Sequence, residues 1–161
     1  MTPEKLQKYT VLLVERALRS LGEAQDNFHA NSYNVAVSQA YYAMYDVAKA
    51  LLATRGLTGS NETDADFVQM FAQHFVLTGD IEPEWRAQFE KALQSRLACA
   101  YDSQHNASRE EAEDILKGAE GFVALARKQL EVELRRIELP NLRIGRPGQA
   151  DGYAQGSGNP G

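Results

Sequence analysis

The stretch 38–52 reads SQAYYAMYDVAKALL, and its apolar residues recur with the period of an α-helix. One apolar stripe on this helix comprises Val37, Ala40, Tyr41, Met44, Val47, Ala48 and Leu51. Tyr42, Tyr45 and Leu52 widen the apolar surface beyond that stripe. A helix that is apolar most of the way round is central in its domain, or touches a second surface such as a dimer partner. We therefore predict that the fold is built around this helix.

Helical periodicity continues on both sides of this stretch. The predicted helices cover about residues 3–28, 32–55, 64–77 and 83–101, and a fifth begins after the capping box formed by Ser108 and Glu111. Thr2 is typical of an N-cap, and Pro3 of a first helical residue, while Thr63 and Asp66 fit the spacing of a capping box before the third helix. Nothing in the sequence indicates a strand, and short connections between long helices favour antiparallel packing. The predicted fold class is all-α, an antiparallel bundle of about five helices.

The helical pattern stops near Leu139 and Pro140. Six of the 12 glycines lie in the last stretch, 145–161. Sequences rich in glycine and proline behave as flexible tails. We therefore divide the chain into a helical bundle, residues 1–139, and a flexible tail, residues 140–161.

Composition sets limits on the class of protein. The chain has 161 residues, 43% hydrophobic and 24% charged, which is typical of one globular domain. The net charge of −5 argues against broad, nonspecific binding of nucleic acid, although a local basic pocket stays compatible with it. No apolar run approaches the roughly 18 residues of a membrane span. The start of the chain does not resemble a signal peptide, so we expect a cytoplasmic protein that has no membrane contact.

Few residues have the chemistry of metal ligands. The single cysteine, Cys99, argues against a disulfide and against a Cys-based zinc site. The three histidines are far apart, and the Glu-x-x-His motif of di-iron bundles is absent from the sequence. There is also no Gly-rich phosphate loop. We therefore expect neither a metal nor a cofactor.

Three stretches, 38–52, 71–79 and 96–102, resemble the HEPN superfamily in their order and spacing. The likeness is closest to small stand-alone HEPN proteins of the toxin or defence type and covers about residues 4–135. It implies four main helices plus a short one, commonly in a homodimer. Active members of the family are metal-independent endoribonucleases, and many are encoded beside a minimal nucleotidyltransferase that acts as antitoxin.

The family motif is an Arg, four to six residues and then a His, late in a helix, with two copies facing each other across the dimer. The matching Arg is Arg96, and Tyr101 occupies the nearest His position. The first histidine after Arg96 is His105, which lies outside the usual window. Close relatives often carry an Asp-Tyr pair, whereas here Asp102 follows the tyrosine, and Ser103 stands where some members have a second Tyr.

Arg96 is the strongest single indication of a site. Helical spacing puts it on the same face as Phe89 and Leu93, and an unpaired charge on an apolar face is costly. One interpretation is a salt bridge to a carboxylate such as Asp46. The functional alternative is a guanidinium held ready for phosphate, and the third is a surface arginine that snorkels.

The residues after Arg96 are weaker candidates for catalysis. Tyr101 is a poor base because its reference pKa is about 10, but it could orient a 2′-hydroxyl or stack on a base, or simply cap the end of the bundle. His105 lies in a polar turn and is either an exposed loop histidine or one folded back towards the site. Asp102 either orients that histidine or ends the helix.

Two further groups have a structural and a functional interpretation. Tyr41, Tyr42 and Tyr45 could form an aromatic platform for bases, although this spacing is more typical of a core or an interface. The alternating charges from Arg127 to Arg136 are typical of a solvated helix face.

The leading prediction is a dimeric HEPN-like protein of the toxin or defence type. Arg96 from both subunits, supported by Tyr101, Asp102 or His105, would promote attack of a 2′-hydroxyl on the adjacent phosphate of RNA. The rival prediction is a non-catalytic HEPN-like module that binds a nucleotidyltransferase or another protein. A plain structural homodimer is the third alternative.

Overall fold

The computed structural model describes residues 1–59 and 62–144, and side chains as far as residue 137. Five helices follow one another: α1 (Pro3–His29), α2 (Tyr33–Ala53), α3 (Asp64–Phe71), α4 (Pro83–Tyr101) and α5 (Arg109–Ile144). No strand occurs in this part of the chain, and none of its helices is both long and apolar enough to cross a membrane. The predicted all-α bundle of about five helices is confirmed.

Local hydrogen bonds explain where three helices begin. The backbone N–H groups of Lys5, Asp66 and Glu111 donate to the hydroxyls of Thr2, Thr63 and Ser108, at 3.2, 3.1 and 3.0 Å. Each bond satisfies an N–H group that has no partner inside its helix. These are the capping residues that the sequence indicated. Helix α2 starts differently, because Ser32 makes no capping bond through its side chain and the chain reverses at Asn31, with φ of 64°.

The third helix is shorter than predicted. Helix α3 ends at Phe71, and one wide π turn, Ala72–Val76, follows it. The N–H of Leu77 donates to the carbonyl of Ala72 at 2.8 Å, which is the five-residue bond of such a turn. The carbonyl of His74 is thereby free to accept side-chain donors, the guanidinium of Arg55 and the hydroxyl of Thr78. Helical periodicity alone does not reveal this change of hydrogen bonding.

Helix α2 is central, as its apolar surface predicted. It packs against α1, α4 and α5, and most of its side chains are buried. Beside it lies a group of aromatic rings, in which the centroid of Phe89 is 5.1 Å from Phe122 and 5.7 Å from Phe71. Val35 and Tyr42 remain 47% and 43% exposed, so one face of α2 is open.

The C-terminal helix extends beyond the predicted end of the bundle. Helix α5 continues through Pro140 to Ile144. The rest of the predicted flexible tail, 145–161, lies outside the described residues. The predicted solvated face on α5 is wrong in part, because Glu133 is buried and pairs with Arg55, which follows α2.

Candidate functional site: an arginine in an aromatic cleft

Helix α4 directs Arg96 towards α2 and α3. Its Nη2 donates to the hydroxyl of Tyr42 at 2.6 Å, and its Nη1 lies 3.5 Å from a carboxylate oxygen of Asp64. The side chain is 15% exposed. Of the three interpretations of Arg96, the snorkelling surface arginine is therefore wrong.

Two tyrosine rings surround the guanidinium. Its central carbon lies 4.9 Å from the ring centroid of Tyr42 and 5.5 Å from that of Tyr41, within the range of cation–π attraction. Burial raises the pKa of Tyr41, the charge of Asp64 adds to this effect, and Arg96 opposes it. Burial and Asp64 also raise the pKa of Tyr45. The phenols of Tyr41 and Tyr45 therefore stay protonated at neutral pH, so they are available as hydrogen-bond donors and not as bases.

A second arginine pair lies in the same cleft. Arg16 of α1 donates to both carboxylate oxygens of Asp46, from Nε at 3.0 Å and from Nη2 at 2.8 Å. This hydrogen-bonded pair raises the pKa of Arg16. Asp46 is buried, and both of its carboxylate oxygens already accept hydrogen bonds from Arg16. Arg96 does pair with a carboxylate, as one interpretation expected, but the partner is Asp64 and not Asp46, the example that the sequence suggested.

The cleft between α1, α2, α3 and α4 has a volume of about 560 Å³. It is lined by Arg16, Ser20, Glu23, Gln39, Tyr41, Tyr42, Tyr45, Asp46, Asp64 and Arg96. Two guanidinium groups thus face three carboxylates. Within the described residues, Nε of Arg96 and the hydroxyl of Tyr41 are buried and have no hydrogen-bond partner. Both can donate, so two donors beside the aromatic rings lack a partner in the described part of the chain, although neighbouring atoms cover them.

The residues that follow Arg96 lie elsewhere. Tyr101, at the end of α4, is 79% exposed and does not cap the bundle end as a half-buried residue would. The carboxylate of Asp102 accepts the N–H of Gln104 at 2.9 Å, and its carbonyl accepts the N–H of His105 at 3.0 Å. Asp102 therefore ends the helix and shapes the turn.

His105 is folded back, but towards α5. Its Nε2 lies 3.2 Å from each carboxylate oxygen of Glu111. The hydroxyl of Ser95 donates to the same carboxylate. Of the four predicted site residues, Arg96 alone is among those that line the cleft, and His105 belongs to a second group at the junction of α4 and α5.

Sequence reasoning missed several of these neighbours. The sequence indicated Tyr42 as part of an aromatic platform but not as a partner of Arg96, and nothing in it favoured Asp64 over other carboxylates. Cys99, His105 and Glu111 bring a thiol, an imidazole nitrogen and a carboxylate oxygen within 4.8 Å of one another. The only indication in the sequence was that these three residues follow one another at equal intervals, at the end of one predicted helix, in the turn and at the start of the next helix. The predicted capping box explains the backbone N–H of Glu111, whereas its side chain contacts His105.

The chain belongs to the HEPN domain family, whose model matches residues 10–129. A protein of Methanocaldococcus jannaschii named "Putative toxin MJ0142" is 30% identical to it over 73% of this chain and 79% of its own. Another from the same organism, "Putative toxin MJ0605", is 35% identical over 74% of this chain and 87% of its own. The resemblance found in the sequence is confirmed.

Solved structures show the same fold. The crystal structure of TT1696 from Thermus thermophilus aligns with a TM-score of 0.61 at 20% identity, covering 74% of this chain and 96% of that one. A HEPN domain protein from Thermotoga maritima aligns with a TM-score of 0.56 at 22% identity, covering 74% of this chain and 97% of that one. At these identities the likeness establishes the fold alone.

Proposed function

We propose that this chain is a HEPN protein of the toxin type that cleaves RNA as a homodimer without a metal ion. Membership of the family and two relatives named as toxins support the class. The observation that carries the proposal is the nearly buried guanidinium of Arg96, held between tyrosines in an open cleft. A nucleotidyltransferase encoded nearby would be the antitoxin partner.

The donors of the cleft suit a nucleotide. Arg96 binds a phosphate oxygen through a charge-assisted hydrogen bond once the pair with Asp64, which is long at 3.5 Å, gives way. Nε of Arg96 and the hydroxyl of Tyr41 add donors that have no partner among the described residues. The exposed ring of Tyr42 is available to stack on a base, as aromatic side chains do with single-stranded RNA.

The proposed reaction is a transesterification within RNA. The 2′-oxygen attacks the adjacent phosphorus, the bond from phosphorus to the 5′-oxygen breaks, and a 2′,3′-cyclic phosphate and a 5′-hydroxyl form. Arg96 stabilises the negative charge that develops on the phosphate oxygens. A base takes the 2′-hydroxyl proton, and an acid supplies a proton to the leaving 5′-oxygen.

His105 is the proposed proton-transfer group. The carboxylate of Glu111 orients its imidazole, an arrangement that serves a general base. Within one chain His105 faces α5 while Arg96 faces α2 and α3, so the proposal requires the dimer to bring the ends of two α4 helices together. Tyr101 and Asp102, exposed at that end, are the proposed contacts to the RNA.

A non-catalytic module that binds a nucleotidyltransferase or another protein is the second candidate. The observation that favours it is the lining of the cleft, whose residues include three carboxylates and, among those described, no histidine. A carboxylate-rich cleft repels phosphate unless its arginines are released from their partners. Such a surface fits a protein partner that carries its own cations.

The deciding experiment compares tag-free wild type and Arg96→Ala on a mixed RNA pool in the presence of a chelator. We expect cleavage by wild type and a loss of about 100-fold or more in the variant, the typical effect of removing one charge-stabilising donor. Arg86→Ala, on the same helix but outside the cleft, is the matched control and should keep its activity. Undiminished cleavage by Arg96→Ala would refute the proposed site, and no cleavage by wild type would favour the binding module.

His105→Ala tests the proton-transfer step separately. We expect RNA cleavage to fall by roughly 10²- to 10⁴-fold, the usual contribution of general acid–base catalysis. Binding of a non-cleavable, 2′-deoxy substrate should stay unchanged, because Arg96 and the tyrosines remain in place. His29→Ala, at an exposed position at the end of α1, is the control. Equal activity of the two histidine variants would remove His105 from the mechanism.

A further inference from the structure

The junction between α4 and α5 brings three metal-ligating side chains together. Cys99 lies in the last turn of α4, His105 in the connecting turn and Glu111 in the first turn of α5. Their sulfur, nitrogen and oxygen atoms all lie within 4.8 Å of one another, and the imidazole nitrogen is 3.2 Å from the carboxylate. Neighbouring ligand atoms around a tetrahedral ion are separated by roughly 3.5 Å, so a shift of about 1 Å in the thiol closes the group around one ion.

The donor set selects the kind of metal. A thiolate and an imidazole are poor ligands for Mg²⁺ and Ca²⁺, which prefer oxygen, whereas Zn²⁺ binds sulfur, nitrogen and carboxylate oxygen alike. Thiolate and carboxylate together neutralise the two positive charges of the ion. Three protein ligands leave the fourth tetrahedral position to water, which is accessible because all three residues are only partly buried.

The surrounding structure holds these ligands in place. The hydroxyl of Ser95 donates to the carboxylate of Glu111, a contact of the kind that orients metal-binding carboxylates. The turn that carries His105 is fixed at one end by Asp102 and at the other by Asn34, whose side-chain oxygen accepts the N–H of Ala107 at 2.8 Å. These contacts hold Glu111 and the turn of His105 in place, so only the thiol of Cys99 has to move to bind an ion.

We propose that Cys99, His105 and Glu111 bind one Zn²⁺ and that this ion joins the end of α4 to the start of α5. The proposal goes beyond RNA cleavage, in which no metal takes part. Bound Zn²⁺ takes Nε2 of His105 and the carboxylate of Glu111, which would otherwise orient the imidazole for proton transfer, so the Zn²⁺-bound chain is not the form that cleaves RNA. The sequence excluded a Cys-based zinc site because the chain has a single cysteine, whereas this proposal combines that thiol with an imidazole and a carboxylate.

The test uses Co²⁺ as a spectroscopic substitute for Zn²⁺ on the tag-free, chelator-treated full chain. We expect one Co²⁺ per chain, a thiolate-to-cobalt charge-transfer band in the near ultraviolet, and loss of that band when Zn²⁺ is added. Cys99→Ser should abolish the band. Absence of the band in the wild type, or its persistence in Cys99→Ser, overturns the proposal.

Calorimetric titration with Zn²⁺ tests the other two ligands. His105→Ala and Glu111→Gln should each weaken Zn²⁺ binding by roughly 100-fold or more, at least the effect of losing an outer partner of a metal ligand. His29→Ala and the exposed neighbour Glu110→Gln are matched controls that should bind like wild type. Circular dichroism verifies that each variant is folded. Equal affinity in all four variants overturns the site, and none of these measurements depends on ribonuclease activity.

Discussion

Arg55 is a partly buried arginine that connects three parts of the bundle. Its guanidinium lies 3.9 Å from the ring centroid of Phe75 and donates to both carboxylate oxygens of Glu133, at 3.1 and 2.9 Å. It also bonds Asp80 at 3.0 Å. Glu133 is only 4% exposed, so its charge depends on this partner. One residue thus links the end of α2, the turn after the π turn, and α5.

Replacing Arg55 should destabilise the folded state. We expect Arg55→Met to lower the free energy of unfolding by about 3 kcal/mol, because Glu133 would lose its main partner while buried. The melting temperature would fall by roughly 10 °C for a chain of this size. Lys117→Met, which breaks an exposed pair with Glu113, is the control and should cost no more than about 1 kcal/mol. Similar losses of unfolding free energy in the two variants, measured by urea denaturation, would show that the Arg55 network stabilises the fold no more than an exposed ion pair does.

The same network predicts a dependence of stability on pH. Hydrogen bonds from Thr78 and Arg55 hold the pKa of Asp80 below its usual range. Burial tends to raise the pKa of Glu133, but hydrogen bonds from Arg55 and Gln129 outweigh it, and the net shift is downward. Because both pKa values are lower in the folded state, the stability they contribute is present above the unfolded pKa of about 4 and is lost as the pH falls through the folded pKa.

Asp80→Asn makes this pH dependence measurable. The difference in unfolding free energy between wild type and variant should be largest above about pH 5 and should shrink as the pH falls below about 4. Urea denaturation at a series of pH values gives the difference directly. A gap that stays constant into strong acid would contradict the assigned pKa direction of Asp80.

At the scale of elements, α4 and α5 approach closely because of glycine. A Cβ added at Gly121 of α5 would lie 2.9 Å from a ring carbon of Trp85 on α4, closer than carbon atoms can pack. The indole cannot move aside as a flexible side chain would. From the sequence alone, a glycine inside a helix is expected to destabilise that helix. In the bundle, the missing side chain of Gly121 allows α4 to pack closely against α5.

Two glycine-to-alanine substitutions separate packing from helix propensity. Gly22 of α1 has open space where a Cβ would lie, so Gly22→Ala should raise the unfolding free energy by up to about 1 kcal/mol. Gly121→Ala gains the same propensity but must displace Trp85, and overpacking typically costs about 1–3 kcal/mol, so we expect a net loss. Thermal unfolding of both variants checks the signs. A stabilised Gly121→Ala would mean that the two helices separate at little cost.

At the scale of the whole molecule, the bundle leaves part of its central helix uncovered. Helix α2 is packed by α1, α4 and α5, yet Val35 and Tyr42 stay exposed on its open face beside the Arg96 cleft. An exposed apolar patch next to a site is typical of an interface. The proposed homodimer would use this face, which places two clefts near one symmetry axis.

Val35→Lys tests that interface without touching the cleft. We expect a dimeric wild type and a shift of the variant towards monomer, because a lysine on each side of a symmetric contact brings like charges together. Val132→Lys, an exposed valine on α5, is the control and should stay dimeric. Light scattering after gel filtration gives the masses. An unchanged mass for Val35→Lys would place the dimer contact elsewhere.

Local patterns in the sequence were enough to predict the five helices, three of their caps and the central place of α2. These features depend on residues three or four positions apart, and such contacts are present in any helix that forms. It also indicated Arg96 as a site residue, because an arginine among apolar neighbours requires a partner. The π turn after Phe71 was not predictable in this way, since it depends on donors from other elements.

Which side chains meet depends on how the helices pack against one another. Arg96 pairs with Asp64 and not with Asp46, and Glu111 turns from its own helix start to His105. Such pairings depend on how each helix is rotated and how closely it lies against its neighbours. The packing of side chains from several helices sets those angles and distances. The periodicity of a single helix contains no information about them, which is why the sequence predicted the bundle but not which side chains meet within it.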